Sequence, residues 1–309
     1  MLWIRILILP LALLADRLIG DPRSALHPVA LVGRFIGWWG SPALMPPAFQ
    51  RLFGMLMWVL TVILFALPFY CLEQFLPWYI FLVGGPILLN FCFAWRSLEE
   101  HTGSVVQSLQ KNLPEGRRQV SLLVSRSTSD LDPGQVLSAA YESLCENLVD
   151  SIIAPLFYYS LFGLAGAAVY RAANTMDAML GYRDERIRLG WFSARADDIL
   201  NYIPARIAGV ILLIYFAWKG RFAMACQTLQ IDGHKRPGIN GGIPIAIIAG
   251  GTGVMFEKPG VYRIGPGVVP LEEAGNEIMA AVRAVTLIFS LLMVAALLLL
   301  GSLAKYIGI

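Results

Sequence analysis

Three carboxylates, Glu142, Glu146 and Asp150, recur at every fourth position of this chain. That spacing places them on one face of a helix. Like charges at such spacing repel one another, and a divalent cation would relieve the repulsion. Mg2+ in particular is commonly held by one or two carboxylates, with substrate phosphates completing its shell. The helix that must carry them is legible in its start signals. Asp132 is a cap, Pro133 suits the first helical position, and Gln135 completes a capping box. Leu137, Tyr141, Leu144 and Leu148 then repeat as an apolar stripe on the other side. A solvated helix face is the plainer meaning of an acidic stripe. This one ends where an apolar run begins at Ser151, so Glu142, Glu146 and Asp150 are taken as candidate metal ligands.

A second set of polar residues follows that run. Arg171, Asn174 and Asp177 sit at i, i+3 and i+6; Arg183 comes next; then Arg195, Asp197, Asp198, Asn201 and Arg206. Asp197 or Asp198 shares a helix face with Asn201. Ionisable groups this close to lipid are costly and mark function; structural ion pairing between loops is the competing reading. Near the start, His27 precedes Pro28, a setting equally suited to a hydrogen-bonded loop residue. Asn240-Gly241-Gly242, running into Gly250-Gly251, would let backbone approach a ligand or let helices pack closely. No lysine follows a glycine anywhere in the chain, so there is no phosphate loop of the GxxxxGK type. A nucleotide here would depend on arginines and Mg2+.

The elements that position these residues are dictated by lipid. The chain has 309 residues, 57% hydrophobic and 15% charged, with mean hydropathy +0.64. Soluble domains carry roughly 25% charged residues. Nineteen of the 24 basic residues are arginines, and arginine suits bidentate capture of phosphate and carboxylate. A net charge of +3 gives no reason to expect nucleic acid. Cys71, Cys92, Cys145 and Cys226 lack zinc-site spacing and suggest no disulfide framework. Residues 52–72, 78–95, 151–170 and 284–300 read as spans, 2–19 as a retained first helix, and 205–218 and 239–255 as shorter candidates. The expectation is an all-α, polytopic integral membrane helical bundle forming a single domain, 1–309, with polar cytoplasmic loops that contain amphipathic helices. The turn 73–77 lacks Lys and Arg and should face outward, which makes 96–150 cytoplasmic. Strict alternation would then put the arginine-rich stretch 171–204 outside. Pro155, Gly163 and Gly166 resolve that conflict if 151–170 is broken or re-entrant.

Together these residues resemble the adenosylcobinamide-phosphate synthase family of cobalamin biosynthesis. The similarity is carried by Gly20-Asp21-Pro22 with His27-Pro28-Val29, by Glu142 to Asp150, by Ala154-Pro155-Leu156-Phe157, by Tyr170 to Arg183, and by Ala194 to Arg206. It spreads over most of the chain, and 142–206 is its specific part. The family often has Arg-Asp-Thr where this chain has Arg126-Ser127-Thr128, and a Ser-Pro-Asn run and a Pro-Glu pair where it has Gly238-Ile239-Asn240 and Pro244-Ile245, so no catalytic acid is expected at either place.

The resemblance implies ATP- and Mg2+-dependent joining of adenosylcobyric acid to an aminoalcohol phosphate, either aminopropanol phosphate or ethanolamine phosphate. It implies metal ligands at Glu142, Glu146 and Asp150, and catalytic carboxylates at Asp177, Asp197 and Asp198. His27, Arg171, Asn174, Arg183, Arg195, Asn201, Arg206 and Asn240 would contact substrate. The expected location is the inner (cytoplasmic) membrane, with the active site facing the cytoplasm. Membrane lipid and other membrane enzymes of late cobalamin synthesis are the expected partners. A prenyl-type transferase acting on diphosphates is the rival enzyme, but Asn201 stands where its DDxxD motif needs a third acid. A transporter would concentrate polar residues at span centres, and here the charges lie in the loops.

Overall fold

The computed structural model describes residues 2–20, 27–182 and 184–307. In chain order the helices are α1 (Leu2–Ile19), α2 (Pro28–Trp39), α3 (Gln50–Phe75), α4 (Trp78–Asn90), α5 (Trp95–Lys111), α6 (Leu113–Val120), α7 (Pro133–Leu148), α8 (Ala154–Leu180), α9 (Trp191–Leu200), α10 (Tyr202–Trp218), α11 (Phe222–Asp232), α12 (Gly242–Thr252) and α13 (Leu271–Ile307). A five-residue π-helix, Val149–Ile153, joins α7 to α8. Two short strands, β1 (Phe256–Lys258) and β2 (Tyr262–Ile264), pair antiparallel. The chain resolves into two units. The first holds Met1–Ala94, Ala154–Asn201 and Ser290–Ile309; the second holds Trp95–Ile153 and Tyr202–Phe289. Neither unit is a contiguous stretch, in keeping with a sequence that has no linker.

Among the described residues four helices are long and apolar enough to cross a membrane, five if α9 and α10 are counted as one. The protein is thus an all-α, multi-pass membrane protein. In α3 the two faces separate cleanly. Leu52, Leu56, Ile63, Leu64 and Leu67 are exposed, whereas Thr61, Val62, Phe65, Phe69 and Glu73 are buried. Exposed leucine along a whole helix face is what a lipid solvent demands. By contrast, the doubtful apolar stretch near residue 245 is no span. The helix α12 has only 11 residues, and all of them but Ile243 are buried, packed against α10 and α11.

Residues 151–170 do not form a simple span. Gly163 breaks α8, with φ 71° and ψ −157°, a conformation reached essentially by glycine alone. Gly166 lies so close to the carbonyl oxygen of Tyr158 that a Cβ would strike it. In a straight helix those positions would be about 12 Å apart. Farther along, the ring of Tyr158 stacks on that of Tyr170, centroids 5.5 Å apart and planes at 11°. The segment therefore folds back on itself about Gly163 as a hairpin.

The tip of this hairpin is held by charge. The Arg5 Nε donates to Glu73 Oε1 at 2.6 Å, and the Leu164 backbone N–H donates to Glu73 Oε2 at 2.8 Å. Glu73 was expected in an outward-facing turn, but α3 continues to Phe75 and Glu73 is only 1% exposed. The reason is that a broken helix in lipid leaves a new first N–H that no water can reach, and a carboxylate supplies the acceptor. Tyr159 adds a third tie, its hydroxyl donating to the Arg5 carbonyl at 3.1 Å.

Two outcomes follow from this geometry. A Cβ at Gly163 would collide with both Glu73 carboxylate oxygens and lie 2.7 Å from Arg5 Nη2. Gly163→Ala should cost at least the roughly 1–3 kcal/mol of the strained backbone, read as a clear fall in the melting temperature of the detergent-solubilised protein. Single cysteines at Ser121 and Glu185, in a cysteine-free background, should react with an impermeant maleimide from the same side of sealed vesicles. Labelling from opposite sides would contradict the fold-back.

Candidate functional site

The acidic helix folds as its sequence dictates. Asp132 Oδ1 accepts from the Gln135 N–H at 2.8 Å, and Gln135 Oε1 accepts from the Asp132 N–H at 3.1 Å, a complete capping box with Pro133 behind it. The stripe of Leu137, Tyr141, Leu144 and Leu148 is buried. So is Glu142, at 5% exposure, which removes the reading of a solvated face at that position. Its Oε1 accepts from Ser138 Oγ at 2.7 Å and from Arg126 Nη2 at 3.3 Å, and its Oε2 accepts the phenolic proton of Tyr262. Glu146 Oε1 accepts from Arg236 Nε at 2.7 Å. Asp150 lies in the π-helix, where the i, i+4 register is interrupted; its charge is felt by Arg236.

Two of the three expected metal ligands are thus paired with arginine. Among the described residues no group of three or more His, Cys, Asp or Glu is placed to hold a metal. The mutual repulsion is relieved by arginine instead: Arg126 at Glu142 and Arg236 at Glu146. Sequence reasoning did not single out Arg126, Arg236 or Tyr262. Arg236 lies 90 residues from its partner and Tyr262 lies 120 from Glu142, so no local spacing could reveal them. The one available signal was Gly241, where a Cβ would press on the Arg236 guanidinium at 2.6 Å.

These groups wall a cavity of about 290 Å³, lined among others by Arg126, Glu142, Glu146, Arg236, Lys258 and Tyr262. Burial first, and then the facing Glu142 carboxylate, hold the Tyr262 phenol well above its usual range. It therefore stays protonated and donates to Glu142. Two nitrogens of Arg126, Nε and Nη1, are buried without a hydrogen-bond partner. Unmet donors on a buried cation are costly.

The first unit gathers a different set. Both oxygens of buried Asp197 accept amide donors, from Asn174 Nδ2 at 3.2 Å and Asn201 Nδ2 at 3.0 Å. Asn201 Oδ1 accepts in turn from the Tyr170 hydroxyl at 2.8 Å. The i, i+4 pairing of Asp197 with Asn201 is the one its spacing foretold. Asp177 is close enough for its charge to act on Asp197, and Asp198 acts likewise. Arg171 opens the same face of α8, and its Nε is buried with no partner. The neighbouring carboxylates Asp177 and Asp197 suit a Mg2+-bound phosphate, because Mg2+ needs only one or two protein carboxylates.

The remaining expected contacts are dispersed. His27 caps α2, its Nδ1 accepting from the Val29 N–H at 3.2 Å, and its ring meets Phe91 edge-on at 5.0 Å. Arg195 is exposed and makes no hydrogen bond among the described residues. Arg206 and Asn240 do meet, Nη1 to Oδ1 at 3.0 Å, with Arg206 stacked over Tyr202 at 3.3 Å. Arg183 and the Asp21-Pro22 turn lie outside the described residues. The glycines after Asn240 serve packing. A Cβ on Gly242 would strike the Gly233 carbonyl, and one on Gly251 would enter the Phe216 ring.

With this geometry in place, likeness to known proteins can be stated. The family described as CobD/Cbib protein matches residues 9–303. A "Probable cobalamin biosynthesis protein CobD" of Thermococcus kodakarensis is 42% identical over 301 residues, covering 94% of this chain and 95% of that protein. One of the same name from Methanothermobacter thermautotrophicus is 39% identical over 296 residues, covering 94% and 96%. No solved structure matches. A match that runs nearly end to end, at this identity, leaves one assignment: the chain belongs to the CobD/CbiB family.

Proposed function

We propose that this protein acts in cobalamin biosynthesis as an acid–amine ligase. It joins the free carboxylate of adenosylcobyric acid to the amine of an aminoalcohol phosphate, using ATP and Mg2+, and yields adenosylcobinamide phosphate. Aminopropanol phosphate and ethanolamine phosphate are the two candidate amines. The observation that carries this reading is the buried, unpartnered Nε of Arg171 on the helix α8 that also carries Asn174 and Asp177. A carboxylate is a poor electrophile and must first take a phosphoryl or adenylyl group from ATP. The amine then attacks the acyl carbon, phosphate or AMP leaves, and the ammonium proton passes to a base.

The residues divide this work by their surroundings. Arg171 supplies a donor to phosphate oxygen, which gains most in a site shielded from water. Asp177 and Asp197 are the neighbouring carboxylates that a divalent cation would neutralise. Bound there, Mg2+ would stabilise charge on the transferring phosphate. Asn174 and Asn201 fix the Asp197 carboxylate in place through its two oxygens. Asp198, half-buried beside them, is assigned to receive the proton. The arginine-rich residues 171–204 would face the cytoplasm, where ATP is, as the hairpin in α8 favours.

The test is direct. Protein in nanodiscs is supplied with adenosylcobyric acid, Mg2+ and each aminoalcohol phosphate, with and without ATP, and the amide is sought by mass. Product that forms only with ATP supports the proposal; no amide with either amine overturns it. Arg171→Lys keeps the charge but lacks the Nε donor. Its turnover should fall roughly a hundredfold, with a raised KM for ATP. Unchanged ATP kinetics in that variant would remove Arg171 from the phosphate site.

A further inference from the structure

Helices α8 and α9 meet along an antiparallel ladder whose rungs can be read in order. The Tyr170 hydroxyl donates to Asn201 Oδ1 at 2.8 Å, and Asn174 Nδ2 donates to Asp197 Oδ1 at 3.2 Å. At the far end the backbones touch, because a Cβ on Gly190 would strike the Leu180 carbonyl. Between these rungs stand Asp177, three residues on from Asn174, and Ser193, four back from Asp197. Steps of three and four keep a residue on one helix face, so Asp177 and Ser193 face the same seam. Ser193 and Asp197 are the two buried residues of α9. Ser193 is 1% exposed, yet its Oγ has no hydrogen-bond partner. Helical serine and threonine ordinarily donate to the carbonyl four residues back, as Ser160 does to Leu156 and Thr175 to Arg171 in α8. Ser193 does not, and the Asp197 oxygens accept from Asn174 and Asn201 instead.

A buried hydroxyl left unpaired is costly. Here it lies in a seam that carries two carboxylates, Asp177 and Asp197, whose charges act on each other. An anion would be repelled from that seam, whereas a cation can use all three oxygens. We propose that Ser193 is a specificity-determining residue of the cation site, its hydroxyl oxygen joining Asp177 and Asp197 so that this one atom decides which divalent cation is held. The proposal rests on the ligase reading for a cation at the two carboxylates. Oxygen is a hard ligand that suits Mg2+ or Mn2+, whereas sulfur selects softer ions. The contact at Gly190 serves the same selection. With the α8 and α9 backbones touching one turn away, the rung is held narrow. That favours a small ion content with few protein ligands over Ca2+, which takes more oxygens at longer range.

Mn2+ binding to the full-length protein in nanodiscs of zwitterionic lipid, with no substrate present, tests the site apart from the reaction. Binding is read from the loss of the free Mn2+ signal in electron paramagnetic resonance. Asp197→Asn should abolish it. Ser193→Ala should weaken it roughly tenfold, as the loss of a supporting group does at other metal sites. Ser193→Cys is nearly isosteric and keeps the test open if Ser193→Ala disturbs the fold. It should weaken Mn2+ as much, yet bind Cd2+ roughly tenfold tighter than the unsubstituted protein, because it offers a soft ligand in place of a hard one. Both proteins share the chain's own four cysteines, so the difference belongs to position 193. No Mn2+ binding by the unsubstituted protein, unchanged Mn2+ affinity in Ser193→Ala, or a Ser193→Cys variant that loses Mn2+ without gaining Cd2+ would each overturn the proposal. The last pattern is that of a serine with a packing role alone. If the variants behave as expected but no amide forms in the ligation assay, the ligase reading fails while the cation site stands. If amide forms but Ser193→Ala keeps its Mn2+ affinity, the role of Ser193 fails while the ligase reading stands.

Discussion

The first unit depends on a single buried carboxylate. Glu73 accepts from Arg5 and from the Leu164 backbone, and so completes the hydrogen bonding of a helix broken where water is absent. Without an acceptor there, the break at Gly163 would leave a bare N–H in lipid, at a cost of several kcal/mol. Without the arginine, the carboxylate would itself be an uncompensated charge, a loss of about 3–5 kcal/mol where buried pairs are broken. Because these three groups are satisfied together, α8 can turn back. Because α8 turns back, Tyr158 and Tyr170 stack and bind the carbonyl of Leu200 and the amide of Asn201. That contact sets the end of α9, and with it Asp197.

The two charged clusters solve one electrostatic problem in different ways. In the second unit, glutamates meet arginines and a phenol, and the surplus is positive. In the first, Asp197 meets neutral amides while Asp177 and Asp198 remain close, and the surplus is negative. Amides orient a carboxylate without cancelling its charge, so it can still attract a cation. Arginines cancel the charge and leave spare donors for an anion.

What could be read from the sequence was whatever is local. The capping box at Asp132 and the sharing of a helix face by Asp197 or Asp198 with Asn201 rest on spacings of three or four residues; the box is present, and of the two acids Asp197 makes the bond. The break in α8 was half legible: Pro155, Gly163 and Gly166 signalled irregular backbone, but nothing near Glu73 marked it as the acceptor, 91 residues away. The partners of the acidic stripe were hidden for the same reason. Its spacing is real, yet what neutralises it, Arg236 and Arg126, comes from loops that carry no periodicity, and a cation was the only local solution. His27 shows the reverse case, where the plain reading of a capping loop residue matches the geometry.

The hairpin also has a consequence for how the chain enters the bilayer. A segment with a backbone break cannot settle in lipid by itself, since its unsatisfied group would face hydrocarbon until a partner arrived. Here both partners precede it in the order of synthesis: Arg5 belongs to α1 and Glu73 to α3, while Gly163 follows some 90 residues after Glu73. By the time the break emerges, its acceptor is already in place. The chain's N-terminal third thus acts as a template on which the later, non-autonomous segment is laid down.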